Sequence, residues 1–195
     1  MWVACGNPPT FAKAGSLGIG SLGFNFSPIG DMKPLIDAYK DAVAKCTSPI
    51  GDYVNDNVMI TNAVVCMKDR KKAREIAMRD DRGYLFSLVC LYHDTFPKPP
   101  HAPVWPQKPI VLDEKMVDAA IAAGALLCGT PDEVSEQLRH YERSGVDQLV
   151  FGFPNNFKDD EARECIELFG KEVIPSYDKD PKHRTTRFRE GARTR

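Results

Sequence analysis

The sequence CGTPDEVSEQLRHYERSGVDQLVFGF, residues 128–153, has the pattern of a helix, a tight turn and a buried strand. The Thr130 hydroxyl can accept a hydrogen bond from the first helical turn, and Glu133 can accept one from the Thr130 backbone, which makes a capping box. Pro131 suits the first helical position, because its missing N–H would have no partner there. These three residues predict that a helix begins at residue 131.

One side of this helix is apolar, and a strand follows it. Val134, Leu138 and Tyr141 recur at helical spacing and so form a single stripe. Gly145 can adopt the left-handed conformation that ends a helix. The apolar run at 149–151 then fits a strand that is covered on both faces. A helix followed at once by a buried strand is half of an α/β repeat.

The rest of the chain repeats this alternation of strands and helices. Aspartates open four further segments that have one apolar face, at Asp31, Asp69, Asp113 and about Asp159, and a more apolar helix is predicted at Gly83–His93. The runs that predict strands are Trp2–Cys5, Ile19–Phe26, Asn57–Cys66 and Gln148–Phe151. Four strands, each followed by a helix, predict a parallel sheet with right-handed crossovers. Four such units fit either a small open sheet or half of an eight-unit barrel, which needs about 250 residues.

The composition indicates a globular protein without a nucleic-acid or membrane partner. The 195 residues are 43% hydrophobic and 27% charged, and the formal net charge is −1, so no strong field attracts an anionic polymer or surface. No apolar run approaches the roughly 18 residues that indicate a membrane span. The first residues lack the basic start and apolar core of a signal peptide. We therefore expect a cytoplasmic protein.

The cysteines and the C-terminus add two expectations. The six cysteines contain no C-x-x-C pair, which predicts reduced structural thiols and no metal site. Residues 178–195 contain seven Lys or Arg and three Asp or Glu, and we interpret them as a mobile tail or an arm along the surface. The predicted organisation is a half-barrel domain at 1–175 and a basic tail at 176–195.

Three stretches carry a resemblance to a known family. They are WVACGNPPTFAKAGSLGIGSLGF at 2–24, NVMITNAVVCMKDRKKAREIA at 57–77, and GTPDEVSEQLRHYERSGVDQLVFGF at 129–153. In order and spacing they resemble the C-terminal half of the bacterial luciferase-like flavin-dependent monooxygenases, a (β/α)8 barrel family. The ending VIPSYDKDPKHRT is also similar to that of some members. The resemblance implies an α/β fold that is the C-terminal half of a TIM barrel, with four parallel strands and flanking helices.

The resemblance also implies a function. Family members use reduced flavin, here FMN, with molecular oxygen and a small organic substrate, while relatives with the same barrel use deazaflavin for hydride transfer. The four βα units that precede the Trp2 strand in the family are absent, so we expect a truncated form. The alternative is a catalytically inactive, self-associating remnant. Exposed edge strands in a half-barrel predict a homo-oligomer in either case.

The resemblance places the cofactor site in the loop between the first strand and the first helix. There, Gly6 and Asn7 would donate backbone N–H groups, and Thr10 a hydroxyl, to the flavin phosphate. A helix N-terminus after a strand also suits an anion on physical grounds, and the other interpretation is an ordinary strand-to-helix turn. Gly129–Thr130 is a second candidate, although its capping box favours a structural role. The proline-rich segment Phe96–Pro109, with Trp105, is either a substrate-side loop or a packing anchor, and no catalytic side chain is predicted.

Overall fold

The computed structural model describes residues 1–25, 28–79, 100–101, 112–152, 157–180 and 182–193. The helix predicted at Gly83–His93 lies outside the described residues, as does the proline-rich segment Phe96–Pro109 apart from residues 100–101. Within the described ranges, no helix is long and apolar enough to cross a membrane.

The described strands form one parallel sheet. The four predicted strands are all present, and a fifth, short strand was not predicted from the sequence. That strand has three residues, LCG, placed directly before the capping box, and so short a run carries no periodicity. The strands are β1 (Trp2–Ala4), β2 (Gly20–Phe24), β3 (Val58–Cys66), β4 (Leu127–Gly129) and β5 (Gln148–Gly152).

The sheet branches at β3. Strand β1 pairs with β2, and β2 pairs with β3. On its other side, β3 pairs with β5 through Met59–Ala63 and with β4 through Val64–Cys66. All of these pairings are parallel. The path β1-β2-β3-β5 is therefore a four-stranded portion of a barrel wall, with β1 and β5 as its two outer strands.

Helices connect the strands and cover one face of the sheet. Asp113 caps its helix as predicted, because its carboxylate accepts a hydrogen bond from the Met116 N–H at 2.8 Å. The prediction that Asp31 caps a helix is wrong: Pro28 holds the cap position, and Asp31 lies in the first turn, where a carboxylate still favours the helix dipole. The α-helices of the described residues are α1 (Pro8–Ser16), α2 (Ile29–Ala44), α3 (Arg70–Arg79), α4 (Glu114–Ala122), α5 (Pro131–Arg143), α6 (Asp159–Leu168), α7 (Ile174–Tyr177) and α8 (Arg184–Arg193), and a π-helix at Phe169–Val173 joins α6 to α7.

The hydrophobic core lies between the sheet and the helices. Side chains alternate along each strand, and in the central strands β2 and β3 the side chains of Ser21, Ile60 and Val64, which point to the helices, are fully buried. Helices α1 and α2 pack closely because Gly15 has no side chain. A Cβ atom there would lie 2.5 Å from the Tyr39 carbonyl oxygen. The apolar stripe predicted for α5, including Val134 and Tyr141, is buried in this layer.

The opposite face of the sheet is less buried than the face that meets the helices, although Gly20, the register partner of Trp2, is buried in it. It corresponds to the interior of a complete barrel. The prediction that the run at 149–151 is covered on both faces is therefore not met, since Leu149 packs against the core while Val150 is 44% exposed. The half-buried or exposed residues of this sheet face are Trp2, Ala4, Leu22, Phe24, Met59, Thr61, Ala63, Gln148, Val150 and Gly152.

The C-terminal helix α8 is attached to the amino-terminal edge of the sheet. The Arg184 guanidinium donates to an Asp147 carboxylate oxygen at 2.7 Å, and the Asn57 side-chain amide donates to the Thr185 hydroxyl at 2.8 Å. The Lys40 ammonium bonds the other Asp147 oxygen at 2.5 Å. Part of the basic segment is thus an ordered helix on the body of the protein, while the boundary at residue 175 stays a prediction.

Candidate cofactor site

The predicted site residues lie in the turn from β1 to α1. Parallel strands place their carboxyl ends at one edge of a sheet, and this edge is the active face of barrels of this kind. Gly6, Asn7 and Thr10 follow β1 at that edge and are all exposed. The structure therefore brings the three residues together on an accessible surface.

Asn7 and Thr10 already satisfy each other in a second capping box. The Thr10 N–H donates to Asn7 Oδ1 at 3.0 Å, and the Asn7 N–H donates to Thr10 Oγ1 at 3.3 Å. The Thr10 hydroxyl donates to the Asn7 carbonyl oxygen at 2.8 Å. Pro8 and Pro9 have no N–H, so the first turn of α1 offers few free donors. The resemblance implied that the Asn7 backbone N–H and the Thr10 hydroxyl would donate to the flavin phosphate, but here both already donate within the turn.

Two donors at this turn remain available to an anion. Among the described residues, none accepts a hydrogen bond from the Gly6 N–H or from Asn7 Nδ2. A Cβ atom on Gly6 would meet nothing within 4 Å, so the approach is open. Because Asn7 Oδ1 is held by the Thr10 N–H, its amide nitrogen is fixed in place. The turn therefore fits a phosphate through Gly6 N–H and Asn7 Nδ2, with Thr10 as the residue that orients Asn7.

The second candidate, Gly129–Thr130, has the structural arrangement that its sequence favours. The Thr130 N–H donates to Glu133 Oε2 at 2.9 Å, and the Glu133 N–H donates to the Thr130 hydroxyl at 3.5 Å. Gly129 has a φ of +145°, and a Cβ atom there would lie 2.4 Å from Glu133 Oε2. A carboxylate therefore occupies this helix N-terminus and would repel a phosphate.

A buried polar network below the carboxyl edge was not found from the sequence. The Tyr141 hydroxyl donates to the Gly124 carbonyl oxygen at 2.6 Å and accepts from Asn25 Nδ2 at 3.3 Å and from Asn62 Nδ2. Burial raises the pKa of the Tyr141 phenol, so it is a neutral donor. The network joins the end of β2 to β3 and to α5, and it holds the chain after β2 in place.

Other predicted features are outside the described residues or involve no ligand chemistry. Trp105 lies in the segment that is not described. The five described cysteines are free thiols. In the described ranges, no group of three His, Cys, Asp or Glu side chains is arranged to hold a metal ion.

Comparisons with solved structures agree on the fold. Monooxygenase RslO1 from Streptomyces bottropensis is 17% identical with a TM-score of 0.63, and the match covers 90% of this chain and 47% of that one. The FMN complex of the oxygenating constituent of 3,6-diketocamphane monooxygenase, from the CAM plasmid of Pseudomonas putida, is 20% identical with a TM-score of 0.60, at 89% and 48% coverage.

A third structure uses a different cofactor. The coenzyme F420-dependent tetrahydromethanopterin reductase from Methanopyrus kandleri is 19% identical with a TM-score of 0.53, and the match covers 90% of this chain and 50% of that one. The chain therefore spans about half the length of these structures.

The sequence itself identifies the family. No curated protein matches the chain significantly. The profile of the luciferase-like monooxygenases matches residues 1–148, which include the β1–α1 turn, the sheet up to the start of β5, and both capping boxes. This chain belongs to the luciferase-like monooxygenase family.

Proposed function

We propose that this chain contributes to a flavin-dependent monooxygenase reaction, in which reduced FMN and molecular oxygen act on a small organic substrate. The observation that carries the proposal is the pair of available donors, Gly6 N–H and Asn7 Nδ2, at the carboxyl edge of the sheet. The family to which the chain belongs and the FMN complex among its structural neighbours support the same cofactor.

The protein's part in this proposal is binding and orientation. Gly6 N–H and Asn7 Nδ2 would hold the phosphate, and Thr10 would keep the Asn7 side chain turned so that its amide nitrogen faces outward. When bound, the flavin supplies the redox chemistry with oxygen. No described side chain is assigned a catalytic role.

Two alternatives remain within the proposal. An F420-dependent reductase is among the structural neighbours, which favours a deazaflavin and hydride transfer as the second candidate. A self-associating protein without cofactor is the third, because Asn7 and Thr10 satisfy each other internally. The free state of the described thiols supports the cytoplasmic location that we propose in all three cases.

The test is a flavin titration with an Asn7→Asp variant. Aspartate is as good a helix cap as asparagine, so the bond from the Thr10 N–H is retained. The amide donor is replaced by a carboxylate oxygen that repels phosphate. Because hydrogen bonds to charged groups contribute about 1.5–3 kcal/mol, we expect FMN to bind at least about tenfold more weakly. Fluorescence quenching of the flavin measures the affinity.

Riboflavin and a matched variant are the controls. Riboflavin lacks the phosphate, so the Asn7→Asp change should leave its affinity unaltered. Ser16→Ala, at the other end of α1, should leave both affinities unaltered. Equal FMN affinity in wild type and Asn7→Asp would remove Asn7 from the site. Tighter binding of F420 than of FMN would favour the deazaflavin enzyme, and binding of neither would favour the protein without cofactor.

A further inference from the structure

We propose that helix α8 is a releasable strap. Arg184 holds it at the amino-terminal edge of the sheet, and α8 detaches as a unit, while the sheet stays folded, when salt screens the ion pairs of that arginine. This change takes place at the edge opposite to the β1–α1 turn and is independent of the cofactor. It makes access to the space beneath α8 depend on ionic strength.

Helix α8 lies on the body of the protein without entering its core. Among the described side chains of residues 184–192, none is buried and none belongs to the hydrophobic core. Phe188, the large apolar residue of the helix, is 39% exposed. The Arg189 guanidinium lies over the Tyr53 ring, 5.6 Å from its centre, a contact that contributes little at an exposed site. Elements with few buried apolar contacts open at low free energy, so α8 is a candidate for local release.

The attachment of α8 is concentrated at its first residues. The Arg184 guanidinium donates to Asp147 Oδ1 at 2.7 Å and to the Asp56 carbonyl oxygen at 3.2 Å, and its Nε atom lies 3.2 Å from Asp56 Oδ1. One residue further, the Thr185 hydroxyl accepts from the Asn57 amide at 2.8 Å. The Arg184 side chain is 42% exposed, so dissolved salt screens its attraction to the two carboxylates.

The space beneath α8 is a cavity and not a packed interface. Its volume is about 930 Å³, and it is lined by Phe188 from α8 and by Cys46 and Val54 from the segment that follows α2. Packed protein interiors contain few voids larger than a water molecule, so the helix spans this space instead of filling it. Release of α8 therefore opens the cavity and uncovers the half-buried Cys46 without disturbing the core.

Thiol labelling at constant pH with a bulky maleimide tests the release. Raising the salt from about 0.02 M to about 1 M should label Cys46 about fivefold faster, because salt removes most of the attraction of an exposed ion pair. Cys66, which is 0% exposed, should keep its rate, since the sheet stays folded. Peptide mass spectrometry follows both thiols. An unchanged Cys46 rate, or an equal acceleration of Cys66, would overturn the proposal.

A charge-removing variant tests whether Arg184 is the attachment. Arg184→Gln should label Cys46 about fivefold faster than the wild type in low salt, and its rate should no longer respond to added salt. The matched control is Arg139→Gln, which breaks an exposed ion pair with Glu136 on α5 and should behave as the wild type does. Circular dichroism establishes that each variant is folded. A salt response that survives in folded Arg184→Gln would show that this arginine does not hold the strap.

Hydrogen exchange of the wild type gives an independent measurement. A free helix of the ten-residue length of α8 is marginal in water, so released α8 loses its helical hydrogen bonds. Its amides should therefore exchange as a group, faster than those of β3, and faster again in high salt. If α8 and β3 are equally protected, the helix leaves only on global unfolding and the strap does not exist.

Discussion

Replacing Tyr141 by phenylalanine should destabilise the fold through one buried hydroxyl. Tyr141 is 2% exposed, and its two amide partners, Asn25 and Asn62, are 3% and 8% exposed. The hydroxyl donates to the Gly124 carbonyl oxygen at 2.6 Å and accepts from both amides. The change removes this oxygen and keeps the ring, so the packing of α5 against the sheet is conserved.

The size of the destabilisation follows from the hydrogen bonds that each partner of the hydroxyl keeps. The Gly124 carbonyl oxygen keeps the hydrogen bond from Asn25 Nδ2 at 3.2 Å. Asn62 Nδ2 loses the one acceptor that it has among the described residues. An unsatisfied buried donor costs about 1–3 kcal/mol, so we expect a loss of about 2 kcal/mol in the free energy of unfolding. For a chain of this length, that lowers the Tm by about 4–8 °C.

Urea unfolding followed by circular dichroism measures the effect, with Tyr53→Phe as the matched control. The Tyr53 hydroxyl has one long contact among the described residues, from Arg189 at 3.4 Å. The Tyr53 ring, which faces the same guanidinium, is retained in phenylalanine. If Tyr141→Phe loses no more stability than the control, the hydroxyl does not hold the network together.

Two further predictions concern ionisable groups. The Arg79 guanidinium, bonded to both Glu161 carboxylate oxygens at 2.8 and 3.2 Å, holds the pKa of that carboxyl below its usual range. Its stabilisation is present above the unfolded pKa of about 4.3 and is lost as the pH falls through the lower folded value. Glu161→Gln should therefore flatten the acid limb of the stability curve. It should cost about 1 kcal/mol at neutral pH, because the Arg79 side chain is 36% exposed and water screens the pair; an unchanged limb contradicts this. Burial raises the pKa of the Cys66 and Cys128 thiols to about 12, so at pH 8 a thiol reagent should modify the half-buried Cys46 before these two. Peptide mass spectrometry measures the order, and early labelling of Cys66 would refute it.

The fold was predictable because its signals are local. The capping box of Thr130 and Glu133 lies within four residues, and the apolar stripe of α5 lies within one helix. Prediction failed where the sequence signal is very short or where the structure depends on a distant part of the chain. Strand β4 has three residues, and its place in the sheet depends on β3, which is distant in sequence. The start of α2 at Ile29 rather than after Asp31 depends on a backbone contact from Ile29 N to Ala123 O.

The site was predictable only in its position. The order of strand, turn and helix places Gly6 and Asn7 at the carboxyl edge, but the pairing of Asn7 with Thr10 changes which donors are free. The N-x-x-T spacing that produces this cap is visible in the sequence. By contrast, Tyr141 follows the apolar periodicity of its helix. The partners that give its hydroxyl a polar role, Asn62 and Asn25, lie 79 and 116 positions earlier in the chain.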